Sequence, residues 1–106
     1  MSIDQSNITD VVGTTIYSFD GERIGEAERV YCDDQSDRPT WLTVRTSPFR
    51  PREYFVPLVG ASMSRDGVRV NYDKITVEDA PRVDVDSARL SESEETRLSR
   101  HYGLEP

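Results

Sequence analysis

The chain has 106 residues, enough for one domain with a modest core, because small domains bury a smaller share of their surface than large ones. Its 13 basic and 20 acidic residues give a formal net charge of −7, which disfavours binding to nucleic-acid phosphates and to anionic membrane surfaces. A single cysteine excludes an intrachain disulfide framework, and no apolar run approaches the ~20 residues of a membrane span, so we expect a cytoplasmic protein with no membrane insertion.

The N-terminal part predicts a flexible arm followed by a β-hairpin. Residues 1–10 are polar and lack periodicity, so order is expected to begin near Val11. Two strands, at about Thr14–Phe19 and Arg23–Cys32, flank the dipeptide Asp20-Gly21. This dipeptide supplies the positive φ that a tight hairpin turn requires.

The second strand does not alternate strictly between apolar and polar residues. One extra residue between Ala27 and Val30, a β-bulge, would restore a single inward face. Cys32, at the end of this strand, is interpreted as a small core residue.

A second hairpin is predicted from two strands on either side of a proline-rich turn. The third strand, Thr40–Arg45, has one apolar face and carries Trp41 on the other. The fourth, Glu53–Leu58, contains Pro57, which must lie at a sheet edge or strand end because proline cannot donate to a ladder. The predicted core residues of this hairpin are Leu42, Val44, Phe55 and Val56.

Two further strands complete the predicted sheet. A short strand precedes an Asp66-Gly67 turn, after which residues 68–72 alternate apolar and polar side chains more cleanly than any other segment. Lys74–Ala80 fits either a strand or a turn of helix. Six short strands with turn residues between them favour an all-β fold, an antiparallel barrel or sandwich.

The C-terminal part predicts a linker, residues 82–90, and a helix within residues 91–104. Ser91 followed by Glu94 forms a capping box, and Gly103 suits the left-handed position after the helix. The helix should span about Glu92–Tyr102. Its apolar stripe is narrow, so we expect it to dock weakly or to serve as a partner-binding appendage.

No constellation of residues suited to catalysis is found. The sole histidine, His101, is far in sequence from the sole cysteine and is interpreted as a cation at the helix end. Asp33, Asp34 and Asp37 share one loop and could hold a hard cation, but they lack the spacing of a calcium loop and are also common turn residues. We therefore predict no catalytic residue, no cofactor and no metal.

One segment stands out by its charge. Residues 38–55 carry four arginines against Glu53, a net charge of +3, whereas residues 1–37 carry nine acids against two arginines, a net charge of −7. Arginine interleaved with aromatic residues suits either stacked bases and phosphates or the anchor residues of a protein interface. The candidate interface residues are Arg38, Trp41, Arg45, Phe49, Arg50, Arg52 and Tyr54.

The order of these signals resembles the PRC-barrel domain over about Val11–Pro81. The resemblance rests on the combination of DG-x-x-IG, the strand W-L-T-V, F-V-P-L, the strand V-x-V-x-Y and D-A-P, and the tail LSESEETRLSRHYGL resembles the C-terminal extension of the bacterial stand-alone, stress-associated group. It implies a six-stranded barrel that serves as an assembly or adaptor module and is not itself an enzyme. Asp37, Ser47 and Arg50 stand where many relatives carry glycine.

The residues and the resemblance together predict a non-catalytic protein-interaction module that acts as an adaptor and forms a homodimer or small homo-oligomer. The basic segment Arg38–Arg52 of one copy would face the acidic residues 20–37 of another. The resemblance also leaves two alternatives, because similar barrels occur in a ribosome-maturation factor and in the photosynthetic reaction-centre H subunit. These are a ribosome- or RNA-associated factor, and an assembly role like that of the H subunit.

Overall fold

Six strands form one sheet in the computed structural model, which describes residues 8–33, 38–46, 53–81 and 90–104. The strands lie in the order β4-β3-β2-β1-β6-β5. In chain order the elements are α1 (Ile8–Val11), β1 (Thr15–Tyr17), β2 (Arg23–Cys32), β3 (Pro39–Arg45), β4 (Glu53–Pro57), β5 (Ser62–Ser64), β6 (Gly67–Arg69), α2 (Lys74–Glu78) and α3 (Glu92–His101).

The antiparallel pairs β2–β3 and β3–β4 confirm the predicted strands. β2 has the predicted bounds, and its register with β3 shifts between Ala27 and Arg29, as expected for the bulge. β4 is an edge strand that ends at Pro57, where the missing amide N–H costs no ladder hydrogen bond.

The prediction of a wholly antiparallel barrel is wrong in one pairing. β6 lies parallel to β1, with Ile16 opposite Val68, and the described strands leave β4 and β5 as open edges. The close approach of the two strands depends on Gly67, because a Cβ there would lie 2.1 Å from the carbonyl oxygen of Thr15. Alternation shows which side of a strand is buried, but it does not show which strand lies beside it.

Helix α1 was not predicted from the sequence, and helix α2 decides between the two alternatives left for its segment. Ile8–Val11 is helical, so regular structure begins before the predicted start at Val11, and residues 1–7 lie outside the described part. The alternatives for Lys74–Ala80 resolve to a helix. Its N-cap is Asp73, whose carboxylate accepts a hydrogen bond from the amide of Thr76 at 2.7 Å.

The C-terminal helix has the predicted ends. The Ser91 side chain accepts from the Glu94 amide at 3.3 Å and donates to the Glu94 carboxylate at 2.7 Å. At the other end, Gly103 has a φ of 72°, and the amide of Leu104 donates to the carbonyl of Ser99 at 2.8 Å. This is a Schellman closure.

The hydrophobic core occupies both faces of β3. Leu42 and Val44 point to one face and, with Val56 of β4, are fully buried as predicted. Trp41 and Thr43 point to the opposite face and are also buried. In a sheet with one face open to solvent, only one face of β3 would be buried. Because both faces are buried, another element must cover Trp41.

Among the described residues, no helix has the length and apolar character needed to cross a membrane.

Candidate interaction surface

A layer of aromatic rings covers the outer face of β2, β3 and β4. Trp41 of β3 lies opposite Tyr31 of β2, and the ring centroids of Tyr31 and Phe55 are 5.1 Å apart. The rings of Trp41 and Phe55 meet edge to face at 6.5 Å. Aromatic pairs at these separations add to the stability gained from burial alone.

Helix α3 packs on this aromatic layer. Leu98 is fully buried, and the Tyr102 ring lies 6.1 Å from the Trp41 ring. The Tyr102 hydroxyl donates a hydrogen bond to the backbone carbonyl of Phe55 in the edge strand β4. Burial raises the pKa of Tyr102 well above that of a free tyrosine, and the neighbouring Tyr72 raises it further. The helix therefore docks on its own sheet, mainly through its C-terminal half.

A second polar contact joins α3 to α2. The Nε2 atom of His101 lies 2.7 Å from the carbonyl oxygen of Thr76, and because a carbonyl only accepts, Nε2 carries the proton. The imidazole also stands edge-on to the Tyr102 ring at 4.9 Å. His101 lies in the last turn of α3, as the sequence places it, but its described contact is a link between two helices.

The expectation that Trp41 is a surface anchor is wrong in one respect. Its side chain is on the predicted face, opposite Leu42, yet only 4% of it is exposed. The reason is the cover that α3 provides through Tyr102. An incoming partner can therefore touch only the margin of the indole.

Of the other predicted interface residues, the three that the structure describes, Arg38, Arg45 and Tyr54, do not all lie on one face. Tyr54 is half-buried and lies beside Val44, on the face opposite Trp41 and Arg45. Arg38 is exposed just before β3. Phe49, Arg50 and Arg52 lie outside the described residues.

Arg45 lies between two acidic residues of its own sheet. The strand register places Glu26 of β2 on one side of it and Glu53 of β4 on the other. Residues directly opposite on neighbouring strands point to the same face, so the exposed row reads acid, base, acid. The sequence suggested that the acidic residues of 1–37 and the basic residues of 38–55 form separate surfaces. Because β2 and β3 are neighbours in the sheet, acidic and basic side chains instead alternate on this face.

An apolar groove lies beside α3, at the end of the sheet where β3 begins and β4 ends. It has a volume of about 310 Å³. Val59 is 56% exposed and Leu104 is 38% exposed. Its main walls are Pro39, Trp41, Pro57, Val59, Glu95 and Leu104.

The rim of the groove on the helix side is acidic. Glu95 lines the groove, and Glu92 precedes it by three residues, so both carboxylates lie on the same side of α3. Both side chains are exposed. The site thus combines an apolar floor with negative charge along one wall, a surface suited to a basic and apolar segment of a protein.

Neither Val59 nor Leu104 was predicted from the sequence as an interface residue, since each is an apolar residue beside a turn. The sequence feature that could have indicated their exposure is that each adjoins a glycine, Gly60 or Gly103, whose φ values are 75° and 72°. An apolar residue held by a tight turn cannot fold its side chain back into the core as easily as one in a strand.

The interpretation of Cys32 as a core residue is wrong, because its side chain is exposed. The register shift between Tyr31 and Cys32 places it at the irregular end of β2. There it lines a small cleft of about 70 Å³ with Asp33 and Thr40.

The acidic loop considered for a cation is only partly described. Asp33 is exposed, whereas Asp34 and Asp37 lie outside the described residues. Within the described ranges, no three histidine, cysteine or carboxylate side chains are grouped so that they could hold a metal ion.

The fold and this surface define a class: a small, mostly β domain with an apolar groove beside its C-terminal helix. The PRC-barrel domain model matches residues 3–81, and the chain belongs to the PRC-barrel family. Domains of this family are generally non-catalytic. Comparison with curated proteins returned no match.

Proposed function

We propose that this chain is a non-catalytic protein-interaction module that associates with a second copy of itself through the groove beside α3. The observation that carries the proposal is the exposed apolar surface of Val59 and Leu104 with acidic Glu95 on its rim. An exposed apolar concavity bounded by polar residues is the usual form of a protein contact site.

Charge complementarity favours a second copy as the occupant. Glu95 lines the groove and Glu92 lies one helical turn earlier on α3, whereas the most basic segment of the chain is residues 38–55. A contact between the two brings opposite charges together, and it does so twice if a two-fold axis relates the copies. The acidic partner of the basic segment is then α3, and not residues 20–37, because Glu26 already lies beside Arg45.

An RNA-associated role has less support. Arg45 is flanked by Glu26 and Glu53, so its charge is offset within the sheet. Phosphate binding depends on clustered cations whose counterions are released, and the net charge of −7 opposes it. A gel-shift experiment at low salt should therefore show no complex with RNA.

The proposal keeps the adaptor role and the cytoplasmic setting expected from the sequence. The single cysteine is exposed, which suits a reducing compartment better than an oxidising one, where exposed thiols tend to form intermolecular disulfides.

Self-association is tested by sedimentation equilibrium over a wide concentration range at low and high salt. Wild type should dimerise, and Val59→Glu should weaken the dimer by about tenfold or more, since it places a charge on an apolar contact. Val12→Glu is the matched control, because Val12 is similarly exposed at 47% but lies outside the groove. A wild-type protein that stays monomeric at all concentrations, with a mass indifferent to salt, would refute the proposal.

A further inference from the structure

The groove and the loop between β3 and β4 lie at opposite ends of one hairpin. The groove is lined by Pro39 and Trp41, at the start of β3, and by Pro57, at the end of β4. The loop joins the other two ends, Arg45 and Glu53. β3 has seven residues, so at ~3.3 Å per residue these ends are roughly 20 Å apart.

The sequence of that loop matches the groove in chemistry. Residues 47–52 read Ser-Pro-Phe-Arg-Pro-Arg and lie outside the described part of the chain. They combine one large apolar side chain, Phe49, with two arginines and no acid. The other undescribed segments, 1–7, 34–37, 82–89 and 105–106, each carry at least as many acids as bases.

The loop is too short to fill the groove of its own copy. Phe49 is four residues from both Arg45 and Glu53, which allows at most ~14 Å even with every residue extended. The chain would also have to turn back along the hairpin to reach the groove, and this turn uses part of that length. The far walls of the groove, Pro39 and Val59, therefore remain out of reach within one chain.

We propose that residues 47–52 of one copy occupy the groove of a second copy, with Phe49 on the apolar floor and Arg50 and Arg52 against Glu92 and Glu95. This rests on the proposed function and names the segment that makes the contact. Because loop and groove lie at opposite ends of the same hairpin, two hairpins side by side in opposite directions bring each loop to the other copy's groove. The dimer then closes through two identical contacts.

Disulfide trapping between two differently tagged variants tests the contact directly, in a Cys32→Ser background that removes the native exposed thiol. One variant carries Phe49→Cys and the other Val59→Cys. When the two are mixed and mildly oxidised, the disulfide between them should form about tenfold faster than with Val12→Cys in place of Val59→Cys. A double variant, Phe49→Cys with Val59→Cys, should form disulfides between chains and not within one.

A charge exchange tests the same contact without cysteines. Arg50→Glu with Arg52→Glu should weaken the homodimer about tenfold or more, and so should Glu92→Lys with Glu95→Lys. Mixing these two variants should restore association, since the acidic loop of one then meets the basic groove of the other and the unchanged loop meets the unchanged groove, so opposite charges face each other at both contacts. A loss of fold would not be rescued in this way.

The outcomes separate this inference from the proposed function. If the dimer forms and depends on Val59, but Phe49→Cys traps no faster with Val59→Cys than with Val12→Cys, the loop is not the occupant and another part of the second copy is. A disulfide within one chain of the double variant would also overturn the inference. If no dimer forms at all, both proposals fail.

Discussion

The hydroxyl of Tyr102, just after the C-terminal helix, donates a hydrogen bond to the backbone carbonyl of Phe55 in the edge strand β4. An edge strand presents unpaired backbone groups, and pairing one of them within the chain makes addition of a foreign strand less favourable. The same residue covers Trp41, and Trp41 is one of the residues that line the groove. The position of α3 therefore decides what a partner can reach.

Removal of that hydroxyl should cost stability without emptying the core. Tyr102→Phe keeps the ring but leaves the buried carbonyl of Phe55 unpaired, so we expect a loss of about 1–3 kcal/mol in the free energy of unfolding. Tyr54→Phe is the control, because Tyr54 is half-buried on the opposite face. Urea denaturation of the three proteins measures the difference, and equal midpoints for the two variants would contradict the role of the hydrogen bond.

Alkaline pH should destabilise the fold. Burial raises the pKa of Tyr102 and of Tyr72 in the folded chain, whereas in the unfolded chain both ionise near pH ~10. The free energy of unfolding is therefore unaffected by these two groups below that pH. Above it the free energy of unfolding falls, by up to about 1.4 kcal/mol per pH unit for Tyr102.

Urea titrations between neutral and strongly alkaline pH should show this fall, and Tyr102→Phe should have a shallower pH dependence. A wild-type protein whose stability does not change above pH ~10 would show that Tyr102 ionises as freely in the folded chain as in the unfolded one.

Substitution of Gly67 should disrupt the parallel pairing of β1 and β6. A Cβ there would lie 2.1 Å from the Thr15 carbonyl oxygen, and the φ of 140° is strained for any other residue. Gly67→Ala should therefore lower the melting temperature much more than Gly103→Ala, which also has positive φ but has no atom within 4 Å of its Cβ position. Similar melting temperatures for the two variants would contradict the close contact between the strands.

The strands were predictable from sequence because alternation and turn residues act locally. β2, the bulge after Ala27 and the position of Pro57 all follow from residues close together in the chain. The cap of α3 by Ser91 is local too. Each of these features depends on contacts within a few residues or across one turn, which a single sequence shows directly.

The features of the fold that could not be predicted depend on contacts between segments far apart in the sequence. Trp41 is buried by Tyr102, which lies 61 residues further along the chain, and nothing near Trp41 in the sequence shows this cover. The parallel pairing of Ile16 with Val68 is equally remote. The sequence predicted a site of basic and aromatic residues near β3, whereas the groove is apolar with acidic Glu95 on its rim and shares only Trp41 with that prediction.

Both proposals depend on α3 packing over Trp41, and the fluorescence of this sole tryptophan tests that packing most directly. At concentrations where the protein is monomeric, the 4% exposure of Trp41 predicts emission shifted to the blue and quenching by acrylamide far slower than that of free N-acetyltryptophanamide. Leu98→Ala, which removes a fully buried contact of α3, should increase the quenching. Quenching of wild-type Trp41 as fast as that of the free amide would contradict the packing of α3 on its own sheet.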